Sequence, residues 1–149
     1  MSGTFTGYSV TSAGDINQDG TPDYGIASPG TIGVPGRVQI FSGKDNSEIY
    51  NLTDNAGSFG RDIDAGMDVN QDSYPDIIVG AEFETTELTQ TGCVYLFSGQ
   101  AGEILWTCNG ENESNLLGGG VGFVDDVNND TVPDAVTAVR GANVGNGRA

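Results

Sequence analysis

The sequence contains no histidine among its 149 residues, and it has only 5 lysines and arginines against 21 aspartates and glutamates. Without histidine, Ser-His-Asp and Cys-His catalytic pairs and most transition-metal centres are excluded. The formal net charge of −16 leaves no basic surface for nucleic acid or for anionic lipid headgroups. No run of about 18 apolar residues occurs, so no segment is predicted to span a membrane. The acidic excess favours hard cations as partners.

Glycine, by contrast, is abundant. The chain has 24 glycines and 5 prolines, together well above the average usage of about 12% in globular proteins. Hydrophobic residues make up 36% of the sequence. This composition indicates β-structure with many turns, because glycine and proline interrupt helices and occupy tight turns.

A nine-residue string of acidic and amide residues occurs three times, at 15–23, 68–76 and 126–134. The three copies begin 53 and 58 residues apart. Each copy follows a glycine by eight residues and is followed by a short apolar run, so the surroundings repeat in phase with the string. The sequence therefore consists of structural repeats of about 50 residues.

Each complete repeat contains four short β-like segments, A to D, separated by turn residues. Four antiparallel strands in a repeat of this length are typical of a β-propeller blade. A β-sandwich also has many short strands, but it does not predict a repeat in this register. The predicted bounds are 7–14, 60–67 and 118–125 for A, 23–28, 76–81 and 134–139 for B, 36–42 and 92–98 for C, and 48–53 and 103–108 for D.

The chain is predicted to be one all-β segment, 1–149, made of about two and a half four-stranded antiparallel propeller blades. Repeat 1 covers about 5–58, repeat 2 about 59–116, and an incomplete repeat 3 about 117–149. A closed propeller needs at least about four blades. We therefore expect a partial propeller that either belongs to a longer protein or is completed by oligomerisation.

The repeated string has the spacing of a calcium loop. Oxygen side chains occupy positions 1, 3, 5 and 9, and a tight loop can add the carbonyl oxygen of position 7. Calcium takes about six to eight such oxygens. The loops differ from EF-hands, because position 12 is not acidic and a strand follows. The predicted ligands for up to three Ca²⁺ ions are Asp15, Asn17, Asp19, Thr21 and Asp23, then Asp68, Asn70, Asp72, Tyr74 and Asp76, then Asp126, Asn128, Asp130, Val132 and Asp134.

Position 6 of each loop is predicted to lie in the left-handed region, which glycine adopts without strain. Gly20 fits this position, whereas Ser73 and the β-branched Thr131 fit it less well. We therefore expect the first site to be the most ideal and the third the weakest. The alternative is that the strings are polar turns that bind no metal.

Together with Phe59-Gly60 before the second string and Gly80-Ala81-Glu82 after it, the repeats resemble the FG-GAP family of integrin α subunits and of many bacterial extracellular proteins. The resemblance implies a propeller with calcium in the A–B loops on one face. It also implies that the B–C and D–A loops form the opposite face, which integrin-like propellers use for partner contact. Members typically have seven blades. The implied localisation is extracellular or the cell surface.

The only two cysteines, Cys93 and Cys108, lie on the predicted C and D strands of repeat 2. If the hairpin pairs Ser98 with Glu103 without interruption, the two cysteines are directly opposite each other. Directly opposed residues can approach closely enough for a disulfide. We therefore predict a disulfide and an oxidising compartment, with a pair of reduced thiols as the alternative.

The predicted function is a non-catalytic calcium-binding module for extracellular protein recognition, adhesion or assembly, with a protein partner or a second copy of the chain as binding partner. The alternatives are the propeller part of a secreted carbohydrate-active enzyme, using the carboxylates of Glu82, Glu84 and Glu87, and a carbohydrate-binding lectin. A lectin needs exposed aromatic residues. The six aromatic residues expected to pack between blades instead are Phe41, Phe59, Phe83, Tyr95, Phe97 and Trp106.

Overall fold

The computed structural model describes residues 6–31, 34–55, 57–84, 90–112 and 115–140, and within these ranges all regular structure is β-strand. No helix among the described residues is long and apolar enough to cross a bilayer. The ten strands are β1 Ser9–Gly14, β2 Asp23–Ser28, β3 Gly36–Phe41, β4 Glu48–Asp54, β5 Phe59–Met67, β6 Asp76–Ala81, β7 Cys93–Phe97, β8 Ile104–Asn109, β9 Leu117–Val124 and β10 Asp134–Val139.

The strands form three antiparallel sheets in simple sequential order. Blade 1 is β1-β2-β3-β4, blade 2 is β5-β6-β7-β8, and blade 3 is the pair β9-β10. The prediction of two four-stranded blades and half of a third is confirmed, and each predicted segment overlaps its strand to within two residues. The two C–D hairpins close in the same way, with Asn46 at φ 62° and Gly102 at φ 68°, because this turn needs a left-handed residue.

Blade 1 and blade 2 pack face to face around one apolar cluster. Its centre is Phe59, which is fully buried and makes edge-to-face contacts with Tyr95 at 5.4 Å and Phe97 at 6.1 Å between ring centroids. Val38 and Ile40 of β3 are also fully buried here. They alternate with half-buried residues along β3, as expected for a strand with one face against a neighbouring sheet.

The other face of blade 2 packs against blade 3. Ile78 and Val94 meet Leu117 there in a second, smaller cluster. Because blade 2 is covered on both faces, β6 is buried at all six of its positions. This double burial explains why β6 reads as a nearly continuous apolar run instead of an alternating pattern.

The first strands of the three blades lie side by side and are joined by two carboxylates of β5. Asp62 accepts a hydrogen bond from the Ser9 hydroxyl at 2.8 Å and another from the Val121 N–H at 3.0 Å. Asp64 bridges the same two blades, accepting from the Thr11 hydroxyl at 3.0 Å and from the N–H of Phe123 at 2.9 Å. Each carboxylate therefore uses one oxygen for blade 1 and the other for blade 3.

The predicted disulfide is wrong, because both cysteines are free. The hairpin pairs Phe97 with Ile104 as expected, but a β-bulge follows, and the next pair is Leu96 with Trp106. The extra residue shifts the remaining register by one, so that Cys93 faces Asn109 and Cys108 faces Val94. Adjacent pairs point to opposite faces of a sheet, and the two thiols accordingly belong to different apolar clusters.

The predicted packing of aromatic residues is confirmed only in part. Phe59, Tyr95 and Phe97 are buried between blades, as expected. Trp106 and Phe83, however, are 52% and 43% exposed. In the part of the chain that the structure describes, the outer strand β8 has no neighbour beyond it, and its residues are mostly exposed.

Candidate metal centres

The three repeated strings form the connections from the first to the second strand of each blade. We call them loop 1 (15–23), loop 2 (68–76) and loop 3 (126–134). In each loop the ninth residue is also the first residue of the following strand, β2, β6 or β10. The fifteen predicted ligand residues are thus gathered into three groups of five, each within a single turn of the chain.

The carboxylate at position 1 folds each loop around itself. In loop 1, Asp15 Oδ1 accepts the N–H of Asp19 and Asp15 Oδ2 accepts the N–H of Gly20, both at 2.9 Å. Asp68 and Asp126 accept the corresponding pairs of N–H groups at 3.1 and 2.8 Å in their loops. The same residue type at position 1 therefore produces the same turn three times.

Positions 3 and 5 lie side by side. In loop 1 the Asn17 amide donates to Asp19 Oδ2 at 3.1 Å, while Asp19 Oδ1 accepts the N–H of Thr21 at 3.0 Å. Loop 2 repeats this arrangement, with Asn70 donating to Asp72 at 2.8 Å. Loop 3 departs from it.

In loop 3, the Asn128 amide donates instead to Asp134 Oδ1, at 3.2 Å.

Position 9 connects the loop to the outer hairpin of the same blade. Asp76 is fully buried. Its Oδ2 accepts the N–H of Val69 at 2.9 Å, and its Oδ1 accepts the N–H of Gly99, in the C–D hairpin, at 3.0 Å. Asp23 does the same for Ile16 and Gly43. One carboxylate thus fixes both the beginning of the loop and the hairpin beyond it.

The backbone has the same shape in all three loops. Position 6 lies in the left-handed region in each, with φ 86° at Gly20, 73° at Ser73 and 76° at Thr131. The prediction for position 6 is confirmed. Ser73 and Thr131 hold a conformation that L-residues adopt only under strain. The backbone conformation at position 6 is therefore less favourable in loops 2 and 3 than in loop 1.

The electrostatics of the loop carboxylates follow their surroundings. Desolvation acts to raise the pKa of Asp19, but hydrogen bonds from Asn17 and Thr21 outweigh it and leave the pKa below its ordinary value. The N–H of Thr131 lowers the pKa of Asp126. Burial raises the pKa of Asp76. A buried carboxyl group without a balancing charge is one that a nearby cation would stabilise in its ionised form.

The chemistry of the donors fits calcium, although the side chains are turned toward the backbone. Within the described ranges, no group of three His, Cys, Asp or Glu side chains is placed to hold a metal ion in this conformation. The loops nevertheless present carboxylate, amide and carbonyl oxygens, which are the ligands of Ca²⁺. A carboxylate oxygen that accepts one N–H, as each oxygen of Asp15 and Asp68 does, retains a second lone pair with which it can coordinate.

The carboxylates considered for catalysis are engaged in structural contacts. Glu82 is fully buried, with Arg140 Nη1 at 2.7 Å from its Oε1 and Arg61 Nε at 2.8 Å from its Oε2. Glu84 accepts a hydrogen bond from the Tyr95 hydroxyl at 2.6 Å. Glu87 lies outside the described residues. Sequence reasoning missed the pairing of Glu82 with Arg140, since 58 residues separate them. The only signal was their shared position relative to the string in repeats 2 and 3.

Comparison with known proteins finds relatives of the repeated segment. Residues 59–97 match the FG-GAP repeat family. The chain is similar to human integrin alpha-11 (34% identical over 121 residues, covering 70% of this chain and 9% of that protein) and to chicken integrin alpha-V (38% over 80 residues, 52% and 8%). It is also similar to bovine phosphatidylinositol-glycan-specific phospholipase D (34% over 159 residues, 89% and 18%). The chain thus spans less than a fifth of the length of each of these relatives.

Proposed function

We propose, from the premise that this chain carries an FG-GAP repeat of the integrin α-like propeller type, that it is a non-catalytic, calcium-stabilised module for extracellular protein recognition, adhesion or assembly. The observation that carries the calcium proposal is the common geometry of the three loops. Each gathers an Asp-Asn-Asp-Asp set within nine residues, on a chain with a net charge of −16.

A bound calcium ion would offset the repulsion among three carboxylates in each loop. The chain itself supplies the connection from the loops to the blades. Asp23 and Asp76 join their loops to the C–D hairpins through Gly43 and Gly99. A loop held in one conformation therefore also holds the outer half of its blade, and ligand binding to the folded state adds to its stability.

Calcium titration of thermal unfolding tests the proposal. At a calcium concentration 100 times the dissociation constant, one site adds about 2.7 kcal/mol to the free energy of unfolding. We expect the melting temperature to rise with Ca²⁺, to fall again on addition of a chelator, and to respond less in Asp19→Ala and Asp72→Ala. A melting temperature indifferent to chelator and to millimolar calcium would rule out the metal assignment.

For the recognition role, we propose a protein partner or a second copy of the chain. The outer strand β8 supports this, since Ile104, Leu105 and Trp106 are 53%, 42% and 52% exposed on consecutive positions. Exposed apolar residues that lie together on one strand favour protein contact. Analytical ultracentrifugation with and without calcium tests self-association. A single species at monomer mass over the whole concentration range would leave only a different protein as partner.

A second candidate is the propeller part of a larger secreted enzyme or of a lectin. Two observations favour it. One is the similarity to a protein named as a phospholipase D, over 89% of this chain. The other is the exposure of Trp106, because sugar rings stack on exposed aromatic faces. A glycan array comparing the protein with Trp106→Ala tests the lectin, and binding lost in the variant would favour it over the protein-binding module.

A further inference from the structure

We infer that loop 1 and loop 2 bind calcium as a coupled pair, with loop 1 organising loop 2, and that loop 3 binds independently. The inference rests on the calcium binding proposed above and concerns the order in which the sites fill. It arises from contacts between loops 1 and 2 that have no counterpart between loops 2 and 3 among the described residues.

The first contact is a hydrogen bond between the loops. Gln18 Nε2 donates to the carbonyl oxygen of Ser73 at 3.2 Å. The N–H of Tyr74 belongs to the same peptide group and donates to Asp72 Oδ1 at 2.8 Å. One peptide group of loop 2 is therefore held by loop 1 on its carbonyl side and by loop 2 on its amide side. The next carbonyl along the chain, that of Tyr74, is a predicted calcium ligand.

Loop 2 depends on such support more than loop 1 does. Ser73 holds a φ of 73°, where loop 1 has Gly20 at 86°. A serine in this region is strained and a glycine is not. An external hydrogen bond to the Ser73 carbonyl therefore stabilises the conformation that loop 2 needs, at the position where its own sequence favours it least.

The second contact is packing at the base of the two loops. A Cβ at Gly14 would lie 3.0 Å from Cγ of Pro75, so the proline ring of loop 2 sits where only glycine leaves room. Ile16 of loop 1 packs in turn against Gly99, whose N–H donates to Asp76 of loop 2. The last residue of β1 thus contacts position 8 of loop 2, and Ile16 of loop 1 reaches position 9 of loop 2 only through Gly99.

Loops 2 and 3 lack the same connection. Gln71 is the counterpart of Gln18, but within the described residues it makes no hydrogen bond to the carbonyl of Thr131. The counterpart of Gly14 is Met67, a large side chain in place of the glycine that admits the proline ring. Since a ligand can shift a neighbouring site only through contacts that differ between states, loop 3 should not respond to the filling of loop 2.

The test uses terbium luminescence, because terbium is a hard cation that takes oxygen ligands like calcium and is sensitised by a nearby tyrosine. Of the three loops, only loop 2 has a tyrosine at position 7, Tyr74. The part of the signal that Tyr74→Phe removes therefore reports the filling of loop 2, separately from any signal sensitised by Tyr24 next to loop 1. Isothermal titration with Ca²⁺ gives the number of ions bound and their order.

We expect Gln18→Ala to weaken the filling of loop 2 about two- to tenfold, the range for loss of one net hydrogen bond. Asn129→Ala is the control, since it changes the same position in loop 3 and lies outside loop 2, and it should leave the filling of loop 2 unchanged. Equal terbium midpoints in both variants would overturn the coupling while leaving calcium binding intact. Absence of any calcium binding in the titration would remove the proposed function as well, so the two failures are distinguishable.

Discussion

The structure predicts that Asp76→Ala lowers the free energy of unfolding substantially. The Asp76 side chain is fully buried and accepts the N–H groups of Val69 and Gly99. Alanine would leave both donors without a partner at the base of loop 2. A buried donor left unsatisfied costs about 1–3 kcal/mol, so we expect the free energy of unfolding to fall by roughly 2–6 kcal/mol for the two.

The matched control is Asp134→Ala, the same position in loop 3. Asp134 is only half-buried and accepts the N–H of Val127, a residue that is 70% exposed. Water can replace that carboxylate oxygen, so the expected loss is below about 1 kcal/mol. Both variants are compared with the unsubstituted protein by urea denaturation in excess chelator, which removes any contribution of metal and leaves the hydrogen bonds alone.

In thermal unfolding, the Asp76→Ala loss corresponds to a fall in melting temperature of at least about 4 °C for a chain of this size. Equal losses in Asp76→Ala and Asp134→Ala would refute the reasoning, because burial would then not decide the cost. A loss below about 1 kcal/mol in Asp76→Ala would refute it in the same way.

Two further predictions concern titratable groups in blade 2, the half-buried Glu84 and the buried Cys93. Burial raises the pKa of the Glu84 carboxyl above 4.5, against a hydrogen bond from Tyr95 that lowers it. The folded state therefore binds more protons just above pH 4.5, and Glu84 makes stability fall as pH rises through that window. Glu84→Gln should lose this slope in denaturant titrations at several pH values, and an unchanged slope contradicts it. Burial also raises the pKa of Cys93 to about 12, so a thiol-alkylating reagent at pH 8 should label Cys108 alone in the native protein and both thiols in urea. Failure to label either thiol in urea without reductant would instead indicate a disulfide.

The strands were predictable because their causes are local and occur more than once. Each of these features has a sequence signal. Alternating apolar residues predict the alternating burial of β3, turn residues predict the C–D hairpins, and the nine-residue strings predict the loops. Gly20 in the first loop predicted a left-handed backbone at position 6. The structure has the same conformation at Ser73 and Thr131 in the other two loops. Repetition therefore allowed one favourable copy to predict less favourable ones.

The errors came from features that depend on pairing between distant residues. A single bulge in β8 moved Cys108 to the opposite face of the sheet from Cys93, and no residue at the bulge marks it in the sequence. Asp62 reads as an exposed strand acid, yet it joins three blades through Ser9 and Val121. Such contacts depend on how the blades are placed relative to one another, which a strand pattern does not specify.

The double burial of β6 also bears on how such a repeat can diverge. Residues 59–97, which carry the family match, belong to the only blade of the described chain that has neighbours on both sides. A side chain there must suit two surfaces at once, so fewer replacements are tolerated. Substitutions in β6 should therefore disturb the packing of two neighbouring blades at once.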